Sequence, residues 1–284
     1  MLEIANSKEY MDANPHQIVA KLADTGRFIA SESSFYRLFR SQKLLAHRLK
    51  SKPKVHHQPR SLTATGANQV WSWDITYLLS SVKGKYYYLY MVEDIFSRMI
   101  VGFCVEEKES SGISSSLIEG CCIDQRIARN QISLHSDNGS AMKGATMLST
   151  LQRLGVVPSF SRPRVSDDNP YSESLFKTLK YCPQYPSKPF STQHEAYAWV
   201  ANFTTWYNTK HLHSEIRFVA PWSRHYGHEK EILSKRDIIY KKAKEMTPLR
   251  WTKKTRNWTP VGEVTLNPGK EKKIQNMAIK NQIA

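Results

Sequence analysis

The chain has 284 residues, 41 of them Lys or Arg against 25 Asp or Glu, for a net charge of +16. That charge points to a polyanionic partner, and the length allows two or three units around a sizeable core. No apolar run approaches membrane-spanning length, no basic–apolar–small pattern marks a signal peptide, and Cys104, Cys121, Cys122 and Cys182 form no CxxC pair. These features argue against a membrane protein, a secreted disulfide scaffold and a cysteine-based zinc site. They lead to the expectation of a cytoplasmic protein with reduced thiols and no membrane partner.

The charge is unevenly spread. Residues 1–64 carry 11 basic against 5 acidic side chains, residues 65–206 carry 13 against 13, and residues 207–284 carry 17 against 7. A neutral centre between basic flanks reads as a chemical core with nucleic-acid grips at either end, the alternative being a generally basic surface.

In chain order, residues 14–45 read as two helices around a tight link. Asn14 can cap the first and Pro15 fits its first turn; Gly26 ends it, and Ser31 can cap the second. The second helix places Phe35, Leu38 and Phe39 on one face and Arg37, Arg40 and Lys43 elsewhere. Two short helices with a basic second member resemble a helix-turn-helix, so Arg37, Arg40 and Lys43 are candidate DNA contacts, with a plain packing hairpin as the alternative. Residues 48–65 are polar and basic without periodicity and read as a linker.

The middle of the chain reads as an α/β unit. Val70–Leu79 alternates, with Trp71, Trp73, Ile75 and Tyr77 on one face and Ser72, Asp74, Thr76 and Leu78 on the other. Strands are expected at Tyr86–Val92 and Met99–Val105, then a helix near Ser114–Arg129. A short strand at Ile132–His135 ends in the turn Ser136-Asp137-Asn138-Gly139. A helix over Ala141–Leu154 stops at Gly155, and a strand follows at Val156–Phe160. Asn169 then caps a helix with Pro170 at its first position and Glu173 in its first turn. Residues 191–206 form another helix, with Thr192 and Glu195 as a capping box. Beyond Leu249, short β-like runs at Trp251, Trp258–Val261 and Val264–Leu266 read as a small β subdomain. The resulting order of three hairpin-linked strands, then helix, strand, helix, strand, helix, specifies a mixed sheet flanked by helices.

Among the acids, Asp74 and Asp137 stand in or at the end of strands, and Glu173 follows Asp137 after 35 intervening residues. On the Glu173 helix, Leu175, Phe176 and Leu179 share one side, while Glu173, Lys177 and Lys180 share another. Taken alone, Glu173 and Lys177 would be an ordinary i,i+4 pair. Together with the two aspartates they form a candidate site for hard divalent cations, which take oxygen ligands. Asp94 reads as tying a turn to Arg98, Asp167 and Asp168 as helix caps, and Glu106, Glu107 and Glu109 as a solvated run. His211, His213, His225 and His228 read as surface or phosphate-facing residues rather than metal ligands.

WSWDIT around Asp74, HSDNG around Asp137 and NPYSESLFKTLK around Glu173 resemble the DDE transposases of bacterial insertion sequences related to retroviral integrases. More closely they resemble the catalytic, second-frame product of the group whose transposase is made by frameshifting. The resemblance runs from Pro15 to about Leu266. It implies an RNase H-like core holding two Mg²⁺ (or Mn²⁺) ions on Asp74, Asp137 and Glu173, with water and then a DNA 3′-hydroxyl as nucleophile. Lys177 and Lys180 would position terminal DNA. DNA at element ends and target, a homo-oligomer on that DNA, and the first-frame product are the implied partners; the chain itself is expected to be the second-frame portion or a shortened copy. The implied organisation is a helix-turn-helix-like segment at 1–47, a basic linker at 48–65, a catalytic core at 66–225 and a basic C-terminal region at 226–284. One departure stands out: in WYNTKHLH, His211 occupies the place where the family often has Arg. A non-catalytic DNA-binding regulator and a purely hydrolytic nuclease are the alternative functions.

Overall fold

Residues Val70–Leu79 alternate in side-chain size and polarity, and in the computed structural model they form β2, the central strand of a five-stranded sheet. The structure describes residues 1–10, 13–42, 61–162, 168–252 and 254–268. The chain divides into two units, residues 1–55 and residues 56–284. Among the described residues, no helix is long and apolar enough to cross a membrane.

In the first unit, α1 (Leu2–Ala5), α2 (Pro15–Asp24) and α3 (Glu32–Ser41) enclose Ile18, Leu22, Phe35 and Phe39. The Asn14 side chain accepts from the Gln17 amide while Gln17 accepts from the Asn14 amide, a reciprocal capping box that starts α2. Ser31 occupies the cap position of α3 but makes no capping bond; its hydroxyl meets that of Ser34 instead. Arg37 and Arg40 are exposed, and Lys43 lies outside the described residues.

The second unit holds the sheet in the order β4-β3-β2-β5-β6, where β3 is Tyr86–Asp94, β4 Ile100–Glu106, β5 Ser133–Ser136 and β6 Val157–Phe160. β2, β3 and β4 are antiparallel neighbours, while β5 and β6 run parallel to β2. This is an RNase H-like mixed sheet flanked by helices.

Its two faces are packed differently. Trp71, Trp73, Tyr90 and Val92 meet α4 (Ser111–Asp124), α5 (Ser140–Lys143) and α6 (Ala145–Leu154) on one side. Leu78, Leu89 and Met91 meet α7 (Pro170–Tyr181) and α8 (Gln193–Thr209) on the other. Asp74 therefore lies on the α7 face, away from the tryptophans, as the alternation requires. The single helix expected over 141–154 is two, because Gly144 breaks it in extended conformation. Gly155, at φ 71°, closes α6 as a left-handed cap. In the expected 192/195 capping box, Thr192 accepts from the Glu195 amide, but Glu195 accepts from Ser191 rather than Thr192.

Two expectations about the flanks need correction. The stretch read as unstructured linker contains β1 (Leu62–Ala64), which pairs antiparallel with β7 (Val264–Leu266). That same strand is the only part of the expected C-terminal β subdomain that forms among the described residues. It does not stand apart from the core, because Val264 and Leu266 pack with Ala64, Val70 and Ile95. Between them in sequence, α9 (Pro221–His225) and α10 (Glu229–Met246) are joined by an ion pair from Arg224 to Glu229, and Arg224 also donates to the carbonyls of Phe96, Val261 and Gly262.

Candidate active site

Three elements deliver the candidate acids. β2 carries Asp74 half-buried at its centre, the turn after β5 carries Asp137, and the first turn of α7 carries Glu173, which is exposed. The α7 helix is fixed to β2 just beside Asp74. The Ser72 hydroxyl donates to Asn169 Oδ1 at 2.5 Å, so the Ser172 hydroxyl must donate to Ser72 at 2.8 Å. The Asn169 amide donates to the Trp73 carbonyl. All of these groups are buried, so the bonds operate away from water.

A second network supports Asp137. The Ser161 hydroxyl donates to Asp137 Oδ1 at 2.7 Å, and the Asn138 side-chain amide donates to the Ser161 carbonyl. The His135 ring lies beneath, between the Ser159 hydroxyl, the Ser161 hydroxyl and the Asp168 carbonyl. Burial holds the His135 pKa below its ordinary range, so the ring is neutral near pH 7. Asp168, expected as a helix cap, is instead held in a bidentate ion pair by Arg162, which depresses its pKa. Asp167 lies outside the described residues, as does the segment 163–167 of the expected mobile lead-in.

The electrostatics of Asp74 register the convergence. Burial first, then the nearby carboxylates of Asp137, Glu173 and Glu109, push its pKa up to about 7, against the hydrogen bond it accepts from the Ile75 amide. Lys180 lies near enough to Asp74 for the two charges to interact, while partial burial draws the Lys180 pKa down. Lys177, on the same stripe of α7, is exposed. The oxygen-only donor set suits a hard divalent cation. Even so, among the described residues no three acids, histidines or cysteines are grouped closely enough to hold a metal ion.

Glu109 is the acid that the sequence reading missed. It was grouped with a solvated run, and it is exposed, yet its charge acts on Asp74. The Tyr90 hydroxyl donates to the Lys108 carbonyl and accepts from the Ser110 amide, which fixes the turn between them. The only sequence signal was the position of Glu109 just ahead of the Ser110 cap of α4.

Other residues sit differently from expectation. Asp94 holds its turn through the amide and hydroxyl of Ser97, not through the Arg98 side chain. His225 is buried and bonded to Ser97 and Gln125 rather than on the surface. His228 is exposed and stacks on Trp222. His211, in the position often held by Arg, stacks on Tyr207.

The sequence matches an integrase core domain family over residues 64–166 and a second family, also described as an integrase core domain, over residues 154–229. It is 32% identical over 175 residues to the transposase for insertion sequence element IS904 of Lactococcus lactis subsp. lactis (strain IL1403), covering 60% of this chain and 66% of that protein. It is 31% identical over 117 residues to transposase InsF for insertion sequence IS3A of Escherichia coli (strain K12), covering 41% of this chain and 40% of that protein. The chain thus spans just under two thirds of the first relative and well under half of the second. Among solved structures, an intasome of simian T-cell lymphotropic virus aligns with TM-score 0.48 at 17% identity, over 73% of this chain and 70% of that one. The HTLV-2 integrase catalytic core in complex with magnesium aligns with TM-score 0.37 at 18% identity, over 56% and 97%. With both integrase core matches lying on the sheet and helices that carry the three acids, the chain belongs to the insertion-sequence transposases.

Proposed function

We propose that the chain is a DDE-type polynucleotidyl transferase that cleaves DNA at insertion-sequence ends and joins those ends to target DNA, with Asp74, Asp137 and Glu173 as its catalytic acids. The observation that carries this reading is the raised Asp74 pKa, to which the Asp137 and Glu173 carboxylates both contribute from separate elements. A cluster of like charges on one sheet face costs stability unless a cation joins it. Asp74, Asp137 and Glu173 would hold Mg²⁺ or Mn²⁺, two ions in this reading. When bound, the metal supplies an activated nucleophile and stabilises the leaving oxygen of an in-line phosphodiester displacement.

The chain's own groups have distinct tasks. The Ser72–Asn169–Ser172 bonds set the distance from α7 to β2. Ser161 orients the Asp137 carboxylate, and neutral His135 supports Ser161 without adding charge. Lys177 and Lys180 hold a DNA phosphate on the Glu173 side of α7. Arg37, Arg40 and Lys43 of the first unit contact DNA in the manner of a helix-turn-helix. We also propose residues 1–47 as the DNA-binding segment and residues 66–225 as the catalytic core, with a homo-oligomer on DNA and the first-frame product as partners.

The test is incubation of the purified chain with Mg²⁺ and labelled duplexes carrying the inverted repeats that flank its gene. Joined products are expected from the wild type and none from Glu173→Gln, which should retain DNA affinity because that comes from the basic flanks. Joining by the Glu173→Gln chain overturns the site. Nicks without joined products would make the protein a nuclease, and a mobility shift without either would make it a regulator.

A further inference from the structure

On the far side of α7 from Asp74 lies a cavity of about 420 Å³, within the size range of small-ligand sites. Tyr171 and Ser174 line it from α7, and Glu93, Arg98, Tyr207 and His213 line it from the sheet and the segment after α8. Glu173, between Tyr171 and Ser174 in sequence, turns toward Asp74 instead. The helix is therefore a common wall between the cavity and the candidate active site.

Two groups in this cavity lack partners. Glu93 is 2% exposed, and its Oε2 atom makes no hydrogen bond. Arg98 Nε is likewise shielded from solvent without a partner. Orphaned buried polar atoms are rare and costly, and each calls for a cause. Here one orphan is an acceptor and the other a donor, and both open on the same space. The Arg98 guanidinium is held against the Tyr171 ring, 4.2 Å from its centroid, so its direction is fixed.

The charge balance narrows the ligand further. The other arginine of the cavity, Arg162, is already engaged by both oxygens of Asp168, and Arg98 is offset by Glu93. That leaves no surplus positive charge for a phosphate. What fits is a neutral, flat group with an N–H donor beside an acceptor: the donor serves Glu93 and the acceptor serves Arg98.

We propose that this cavity binds an unpaired nucleobase carrying an exocyclic amino group. Cytosine, adenine and guanine each place an amino group next to a ring nitrogen that can accept. In thymine the N–H lies between two carbonyl oxygens, one of which would face the carboxylate. The base comes either from DNA, in which case the inference rests on the strand-processing reading above, or from a free nucleoside. Extruding a base costs a few kcal/mol, and hydrogen bonds to its edge inside a pocket offset that cost.

The experiment uses the full chain without metal. Deoxycytidine, deoxyadenosine and thymidine are titrated by ligand-observed NMR, and duplexes with one unpaired cytosine or one unpaired thymine are titrated by fluorescence anisotropy at fixed salt. Deoxycytidine and deoxyadenosine should bind at least about tenfold more tightly than thymidine, and Glu93→Leu should abolish the preference while its melting profile stays cooperative. Arg98→Lys, which removes the orphaned donor but keeps the charge, should do the same and guards against a Glu93 variant that fails to fold. Preference in both titrations assigns the base to DNA; preference in the nucleoside titration alone assigns it to a soluble nucleoside. Equal binding of the three nucleosides, or a preference that survives both substitutions, overturns the inference. Because no strand chemistry is read, a chain that joins DNA but shows no preference sinks this inference alone. A chain that shows the preference but never processes DNA sinks only the functional reading.

Discussion

The Ser72 hydroxyl reaches Asn169 Oδ1 at 2.5 Å, joining β2 to the start of α7 two residues before Asp74 and four before Glu173. The bond is buried and has no access to water, so its loss leaves Ser72, Ser172 and the Trp73 carbonyl competing for fewer partners. Asn169→Ala should cost about 1–3 kcal/mol of stability, the penalty of unsatisfied buried polar groups. It should also lower strand-transfer turnover by more than tenfold while leaving DNA affinity within about twofold, since small misplacements of reacting groups are expensive. Chemical denaturation and single-turnover assays read the two effects separately. A variant with normal turnover would show that α7 is positioned by its apolar side alone.

Divalent metal should stabilise the fold through the acid cluster. Binding to the folded state alone adds about 2.7 kcal/mol when the ion exceeds its dissociation constant a hundredfold. Thermal melts at pH 8 should therefore rise with added Mg²⁺, and Asp74→Asn should remove most of that rise. The same variant should melt higher than wild type without metal, because it removes the buried charge that Asp137, Glu173 and Glu109 repel. Retention of the full Mg²⁺ response by Asp74→Asn would place the metal elsewhere.

Glu93 should leave a mark on the pH dependence of stability. Burial pushes its carboxyl up to about 8; Arg98 opposes the rise and Asp94 adds to it. In the unfolded chain a glutamate titrates near about 4.3. Between those values the folded state keeps a proton that the unfolded state releases, so stability is greatest at the acid end and declines as pH climbs toward 8. Denaturant titrations from pH 5 to pH 8.5 should show that decline in wild type and a shallower one in Glu93→Leu. An identical slope in both would mean that Glu93 is not the group responsible.

Arg224 offers a sharper stability test. Its side chain is fully buried, bonds to Glu229 at 2.7 Å and donates to the carbonyls of Phe96, Val261 and Gly262. Arg224→Ala strands all of these at once and should cost about 3–5 kcal/mol, the range for removing one partner of a buried ion pair. A double variant with Glu229→Gln should recover part of that loss, since the uncompensated carboxylate is then gone. Calorimetry on the two variants checks both statements.

Local pattern made much of the molecule legible. The alternation through Val70–Leu79 put Asp74 on the face opposite Trp71 and Trp73. The helical period through Pro170–Tyr181 separated Leu175, Phe176 and Leu179 from Glu173, Lys177 and Lys180. Both signals are short-range, and side-chain direction follows backbone period. Glu109 was misread because its environment is created by a distant strand, through Tyr90, and not by its own acidic neighbours. His225 looked like a surface histidine because nothing near it in sequence announces Ser97 or Gln125. The pairing of Leu62–Ala64 with Val264–Leu266 joins segments about two hundred residues apart, and three-residue strands carry too little periodicity to be seen.

That pairing has a consequence for how the chain can be divided. Thr63 and Thr265 face each other across the two-stranded ribbon, their hydroxyls 3.2 Å apart. The ribbon acts as a clasp that brings the entrance and exit of the sheet domain to one place. A fragment cut at residue 225, which looks natural from composition, would open the clasp and expose the edge of β1 together with Ala64 and Val70. An expression fragment for crystallisation or solution work should accordingly run from before Leu62 to beyond Leu266. A circularly permuted chain, with new ends in a surface loop and the old ones linked near the clasp, should keep the sheet intact.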